Sequence, residues 1–197
     1  MAEKLSNQTS IKDLIKSEYK KCAMDPVYFM KKYCMIQHPK RGKIPFALYD
    51  FQSETINEID TSDYNIILKA RQLGISTIVA GYTLWMMLFH SDKTIMIVAT
   101  NKDTSKNMVT KVTYMHDNLP RWLKGNCVED NKLSLKFSNG SSVKAVSSAG
   151  TSGRSEALSM LVLDESNSSD TNIKIRNKNT KKVEKIPIIE LFNDNYK

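Results

Sequence analysis

From Tyr64 onward the apolar and polar positions fall into blocks whose lengths separate strands from helices. YNIIL (64–68) and TIMIVAT (94–100) are short apolar runs of strand length. ISTIVAGYTLWMMLF (75–89) is apolar over the length of a helix, and SKNMVTKVTYMHDNL (105–119) repeats its apolar residues at helical spacing. LSLKF and SVKAV alternate on either side of Ser138, Asn139 and Gly140, a hairpin pattern because Asn and Gly accept positive φ. MLVLDE (160–165) is the last buried run of this body. Ahead of it all, Asp25 and Pro26 suit an N-cap and first helical position before VYFMKKYCM, while HPKRGKIPF (38–46) has the Pro, Gly and charge content of a loop. Strands alternating with helices in this way predict a mostly parallel α/β sheet with helices on both faces.

Composition narrows the setting. Of 197 residues 41% are hydrophobic, enough for a genuine core and too many for a chain disordered throughout. No apolar run approaches the roughly 20 residues that span a bilayer, and MAEKLSNQTS lacks the basic and apolar regions of a secretory signal. A cytoplasmic protein without membrane contact is therefore expected. Cys22, Cys34 and Cys127 have neither zinc-site spacing nor a disulfide framework, and His38, His90 and His116 have no metal-ligand spacing, so both sets read as structural residues. Trp85, in the most apolar helix, and Trp122, after a Pro-Arg turn, read as core. The net charge of +8 permits contact with phosphates, because cations displace condensed counterions.

The chemistry gathers at KARQLGIST (69–77), which follows the YNIIL run and opens the long helix. Phosphate-binding loops have this strand–loop–helix setting, because successive backbone N–H groups and a helix N-terminus then point at the anion. The usual pattern is GxxxxGK followed by Ser or Thr. Here Gly74 and Ser76 keep their places, Ile75 stands where the lysine belongs, and Lys69 stands where the first glycine belongs. Lys69, five residues before Gly74, can still reach β- and γ-phosphates; Arg71 offers a guanidinium for transition-state charge, and the Ser76 hydroxyl suits Mg²⁺. The stretch Lys69, Arg71, Gln72, Leu73, Gly74, Ile75, Ser76 and Thr77 is thus the candidate ATP-binding loop of a P-loop NTPase-type fold. MLVLDE would place Asp164 at the carboxyl end of a buried strand as the second Mg²⁺ group, with Glu165 polarising the attacking water.

Taken together, residues 25–165 resemble the ATPase domain of the large terminase subunit of tailed bacteriophages. DPVYFMKKYCMIQHPKRGKIPFALYDFQ looks like that family's leading region, where an aromatic-Gln pair, here Phe51 and Gln52, reads adenine. KARQLGIST is similar to its deviant Walker A motif, and VLDE to its Walker B motif with the catalytic glutamate. The resemblance implies ATP and Mg²⁺ as cofactors, double-stranded DNA and the phage portal and procapsid as partners, and an infected bacterial host as the setting. The family continues after the acidic pair with a coupling motif, further strands and an RNase H-like nuclease domain, which residues 166–197 are too few to hold.

That tail resembles something else, the N-terminal part of an intein, a short β-rich Hint-type fragment. Counting Ser166 as the first residue puts Asp170 and Thr171 at the fifth and sixth places, IKIR and VEKIPI as paired strands, and IIELF as the closing segment. The resemblance implies that the Ser166 hydroxyl attacks the Glu165 carbonyl, and that a complementary chain supplies the remaining intein half and the rest of the terminase. The expected division is a helical segment over 1–50, a partial ATPase domain over 51–165 and a split-intein fragment over 166–197. Two other readings stay open on the residues alone: a self-sufficient or truncated P-loop nucleotide hydrolase whose sheet continues at Ile173, and a non-catalytic basic nucleic-acid-binding module.

Overall fold

The computed structural model describes residues 11–99, 102–147, 157–164, 172–176 and 183–187. Helices α1 (Ile11–Met24) and α2 (Pro26–Tyr33) are separated by Asp25, whose carboxylate accepts from Tyr28 N at 2.8 Å. Pro26 takes the first helical position, where its missing N–H leaves nothing unsatisfied. The stretch expected as a loop proves to be half of a hairpin. β1 (Met35–His38) pairs antiparallel with β2 (Gly42–Pro45), and only residues 39–41 turn. His38 closes that turn, its Nδ1 accepting from Lys40 N at 3.1 Å and Arg41 N at 3.2 Å. Four-residue strands interrupted by charge leave too little periodicity to be seen in the sequence.

Beyond α3 (Asp50–Thr61) come α4 (Ile75–Phe89), β3 (Thr94–Ala99) and α5 (Lys102–Asp117), then β4 (Cys127–Asp130), β5 (Ser134–Phe137), β6 (Ser142–Ser147) and β7 (Met160–Asp164). The five strands lie in the order β4-β5-β6-β3-β7. β3 is parallel to both β6 and β7, while β4, β5 and β6 form an antiparallel meander. The sheet is therefore mixed, and the expectation of a mostly parallel sheet is corrected. The cause is local: the 138–141 turn is too short for a crossover, so β5 and β6 must run antiparallel. Of the three turn residues only Gly140 uses positive φ, at +85°.

A second correction concerns YNIIL. Residues 64–68 form no strand, and Tyr64 (94% exposed), Ile66 and Leu68 face solvent. Their composition is that of a buried strand, yet no described strand lies beside them to supply a ladder. Of the helices expected on both faces, the described core shows α4 and α5 packed on one. Ile95, Ile97, Val143 and Ala145 join Ile78, Leu84 and Met87 of α4 and Met108, Val112 and Met115 of α5 in one core, with Met160 and Val162 packed against it. Leu161 and Leu163, on the opposite face of β7, are left outside that cluster.

The N-terminal helices belong to the same core, through Cys22, Phe29, Met30 and Ile56. α4 is apolar all round and correspondingly enclosed, as a helix of that kind must be. Trp85 is buried, and its indole N–H donates to Cys22 O at 2.7 Å; Trp122 meets Tyr33 edge-on at 5.4 Å. Burial pushes the Cys22 thiol up to about 11 and raises Cys34 as well, so neither is a reactive thiolate. Cys127 is exposed on β4. His116 is buried with Nε2 3.0 Å from Gly125 O, and burial lowers its pKa. No helix among the described residues is long and apolar enough to cross a membrane.

Glu18 ties α1 to α2. Its carboxylate accepts from Lys32 Nζ and Tyr28 OH, each at 2.5 Å, and from Tyr33 OH at 2.8 Å. The lysine and the two phenols hold its pKa down to about 2, against an ordinary 4.5. A carboxylate whose folded pKa is depressed contributes its stability above the unfolded value and loses it as pH falls. Stability should therefore drop between pH 4.5 and about 2, and Glu18→Gln should lower the melting temperature at pH 7 and flatten that acid limb. Thermal melts across this range check it; an unchanged slope in the variant would assign the acid limb to other groups.

Candidate nucleotide site

The loop between the 64–68 run and α4 owes its shape to two residues with positive φ. Gln72 has φ +65° and Gly74 φ +72°, while Arg71 and Leu73 stay on the negative side. Alternation of this kind turns successive N–H groups toward one side and makes an anion-binding concavity, here leading straight into a helix N-terminus. Gly74 is also the N-cap of α4, its carbonyl accepting from Thr77 N at 2.9 Å and Ile78 N at 3.1 Å.

A cavity of about 510 Å³ opens over the loop. Its walls are Lys69, Arg71, Gln72, Leu73, Gly74, Ile75, Ser76 and Thr77, so the whole stretch singled out from the sequence, apart from Ala70, lines one space. Lys111 of α5 lines the same space. Sequence reasoning missed it, because a lysine on an amphipathic helix gives no sign of what it faces. Across the sheet edge, Ser76 Oγ donates to Asp164 Oδ2 at 3.0 Å, bringing together residues 88 apart in the chain. A hydroxyl that lines the cavity, in contact with a carboxylate, forms the hard oxygen donor pair that Mg²⁺ accepts alongside phosphate oxygens. The donor set therefore fits the cation the sequence implied. Ile75 lines the same space but is mostly buried and has no charge, so it cannot stand in for the missing lysine.

Gln52 is found in an unexpected position, beneath the loop and 4% exposed. Its Oε1 accepts from Tyr49 N at 3.1 Å, capping α3, and its Nε2 donates to Leu73 O at 2.9 Å. Phe51, its partner in the adenine reading, is partly exposed and stacks on Tyr49 with ring centres 5.8 Å apart. Glu165, Ser166, Asp170, Thr171 and the IIELF segment lie outside the described residues. The tail's two strands are described: β8 (Asn172–Arg176) pairs antiparallel with β9 (Val183–Pro187), Ile173 opposite Ile186 and Ile175 opposite Glu184. They form a separate two-stranded sheet rather than continuing the five-stranded one.

A Cβ on Gly74 would come within 2.7 Å of Gln52 Nε2, and the left-handed backbone adds strain for any L residue. Gln52 cannot yield without breaking its bonds to Leu73 and Tyr49. Gly74→Ala should cost about 1–3 kcal/mol of stability, measurable by denaturant unfolding, and should weaken nucleotide binding more than Ala70→Gly does.

No protein-family profile matches the sequence. Among solved structures, the fold over 72% of this chain is similar to that of the large terminase of bacteriophage HK97, with a TM-score of 0.58 at 18% sequence identity. The chain spans 30% of the length of that protein, and what the two share is the fold.

Proposed function

We propose that this chain is the N-terminal precursor half of a phage-type terminase large subunit, an ATP-driven DNA-packaging motor that matures by protein trans-splicing with a second polypeptide. The observation that carries the nucleotide part is the 3.0 Å contact between Ser76 Oγ and Asp164 Oδ2 at the mouth of a loop with alternating φ signs. In this reading the loop N–H groups and Lys69 bind the phosphates, Ser76 and Asp164 hold Mg²⁺, Arg71 faces the charge that develops on transfer, and Glu165 orients the attacking water. Double-stranded DNA, the portal and the procapsid are the partners of the completed protein. Likeness of fold to the HK97 large terminase supports the motor assignment. The antiparallel β8–β9 pairing, in the strands anticipated for an intein's first hairpin, supports the splicing assignment, with Ser166 as nucleophile and residues 166–197 as the fragment released.

Among the described residues β7 has a strand on one side only and the 64–68 run pairs with none, which fits a nucleotide site that a second polypeptide completes. The isolated chain should accordingly hydrolyse ATP poorly and the spliced product well. Steady-state ATPase on both tests this, and turnover of about 1 s⁻¹ or more by the isolated chain, within the ordinary enzyme range, would favour the self-sufficient hydrolase instead.

A further inference from the structure

A second cavity adjoins the one over the loop. It measures about 170 Å³, and the two share Thr77 of α4 and Lys111 of α5 among their walls. Beyond those two residues the lining changes character. The larger space is bounded by the cationic loop with Lys69 and Arg71, whereas the smaller one is bounded by Ile36 and Gln37 of β1 and by Tyr114 and Met115 of α5. Among the described residues that line it, Lys111 alone carries a charge.

A nucleotide divides in the same way, into an anionic chain of phosphates and a flat base whose edge carries a few hydrogen-bonding groups. A site for one needs two unlike compartments in contact. An apolar cavity of roughly 150 Å³ takes benzene, so the smaller space is on the scale of a ring system. Pockets for such ligands are mostly apolar, with a small number of polar groups that fix orientation. Gln37 is a group of that kind, because an amide offers a donor and an acceptor side by side, the pair that meets an adenine edge.

The residues that the terminase resemblance assigns to the base stand elsewhere. Gln52 is 4% exposed, with Oε1 accepting from Tyr49 N and Nε2 donating to Leu73 O. Neither Gln52 nor Phe51 lines either cavity.

We propose that the smaller cavity seats the base of the bound nucleoside triphosphate, with Gln37 reading the base edge and Lys111, at the wall the cavities share, meeting a phosphate close to the sugar. The inference rests on the nucleotide reading of the loop and moves base recognition from the start of α3 to β1 and α5.

Calorimetric titration of the full chain with Mg²⁺, alone and with the second polypeptide, tests this. The probes are ATP, ADP, purine riboside triphosphate, whose base lacks the exocyclic amine, and inorganic tripolyphosphate, which has no nucleoside. Thr110 lines the smaller cavity and not the larger, and it is exposed on α5. Thr110→Trp should fill that cavity and weaken ATP binding at least tenfold while leaving tripolyphosphate within twofold, and the retained tripolyphosphate binding shows that the variant is folded. The wild-type chain should bind ATP roughly threefold to tenfold more tightly than purine riboside triphosphate, the scale of one hydrogen bond, and Gln37→Ala should erase that difference. Lys111→Gln should weaken ATP and ADP by the same factor, whereas Lys69→Ala should cost ATP more than ADP. Unchanged ATP affinity in Thr110→Trp would overturn the proposal, as would a base preference that survives Gln37→Ala. A Lys111→Gln loss confined to ATP would also overturn it, placing that lysine on the terminal phosphate. The two readings fail differently: absence of binding by both ATP and tripolyphosphate would sink the nucleotide reading and this inference with it, while binding of both that Thr110→Trp leaves intact would sink the inference alone.

Discussion

Lys69→Ala should lower ATP turnover by the completed protein by roughly 10²–10³-fold, the scale of losing one preorganised charge partner of a transition state. The loop explains why so much should depend on a displaced lysine. At the usual lysine position stands Ile75, an uncharged side chain packed into the core together with Ile78. Lys69 and Lys111 are the two lysines that line the cavity, and only Lys69 belongs to the loop itself. The structure also dictates the control. Ile75→Ala would remove core packing and confuse an effect on stability with one on chemistry, at about 2–5 kcal/mol for a buried isoleucine. Ile75→Val costs about 0.5–1.5 kcal/mol and should leave turnover within a few-fold. Steady-state kinetics with both variants decide the assignment, and equal losses would show that the lysine role lies elsewhere, with Lys111 the next residue to replace. Lys69→Arg keeps charge but not the compact ammonium, and should recover only part of the activity.

The second large effect belongs to the junction. If Ser166 is the first residue of a splicing element, attack of its Oγ on the Glu165 carbonyl breaks the amide C–N bond and forms an ester, the proton passing from the hydroxyl to the freed amine. Mixed with its companion, the chain should yield a ligated protein and a released fragment, both visible by intact mass spectrometry. Ser166→Ala should abolish cleavage and leave association intact, since it removes the nucleophile and nothing else. Ser166→Cys should keep or raise the rate, because a thiol of pKa about 8.5 is already a few per cent thiolate at neutral pH and the better nucleophile. Hydroxylamine should release a species ending at Glu165 from the wild-type complex. A mass unchanged after mixing and after hydroxylamine would leave Ser166 an ordinary residue following an acidic pair.

How much of this could be read from residues alone depended on whether the signal was local. α4 begins at Ile75 and ends at Phe89, as its apolar length indicates, and β3, the β5–β6 hairpin and β7 follow their periodicity. The Ser76–Asp164 contact was legible too, because a strand exit and a helix start each have a local signature. What stayed hidden was relational. YNIIL has the composition of a strand but pairs with none among the described residues, since composition records what a segment would bury against and not which neighbour it meets. Lys111 joins the site through the packing of α5 against α4. Gln52 looked like a residue meant for a ligand, and its nearest polar partners are backbone groups of Tyr49 and Leu73.

That glutamine makes the loop and a helix end one mechanical piece. A single amide spans the first turn of α3 and the carbonyl of Leu73, with the flank of Gly74 pressed against it. Anything that reshapes the loop must stretch or release the cap on α3, and anything that frays α3 loosens the loop from below. The two equilibria are linked, so whatever factor loop occupancy applies to order in that helical turn, the turn returns to occupancy. A response to phosphate at the loop would thus reach the first turn of α3, with Gln52 21 residues before Leu73 and the Tyr49 amide as its reporter.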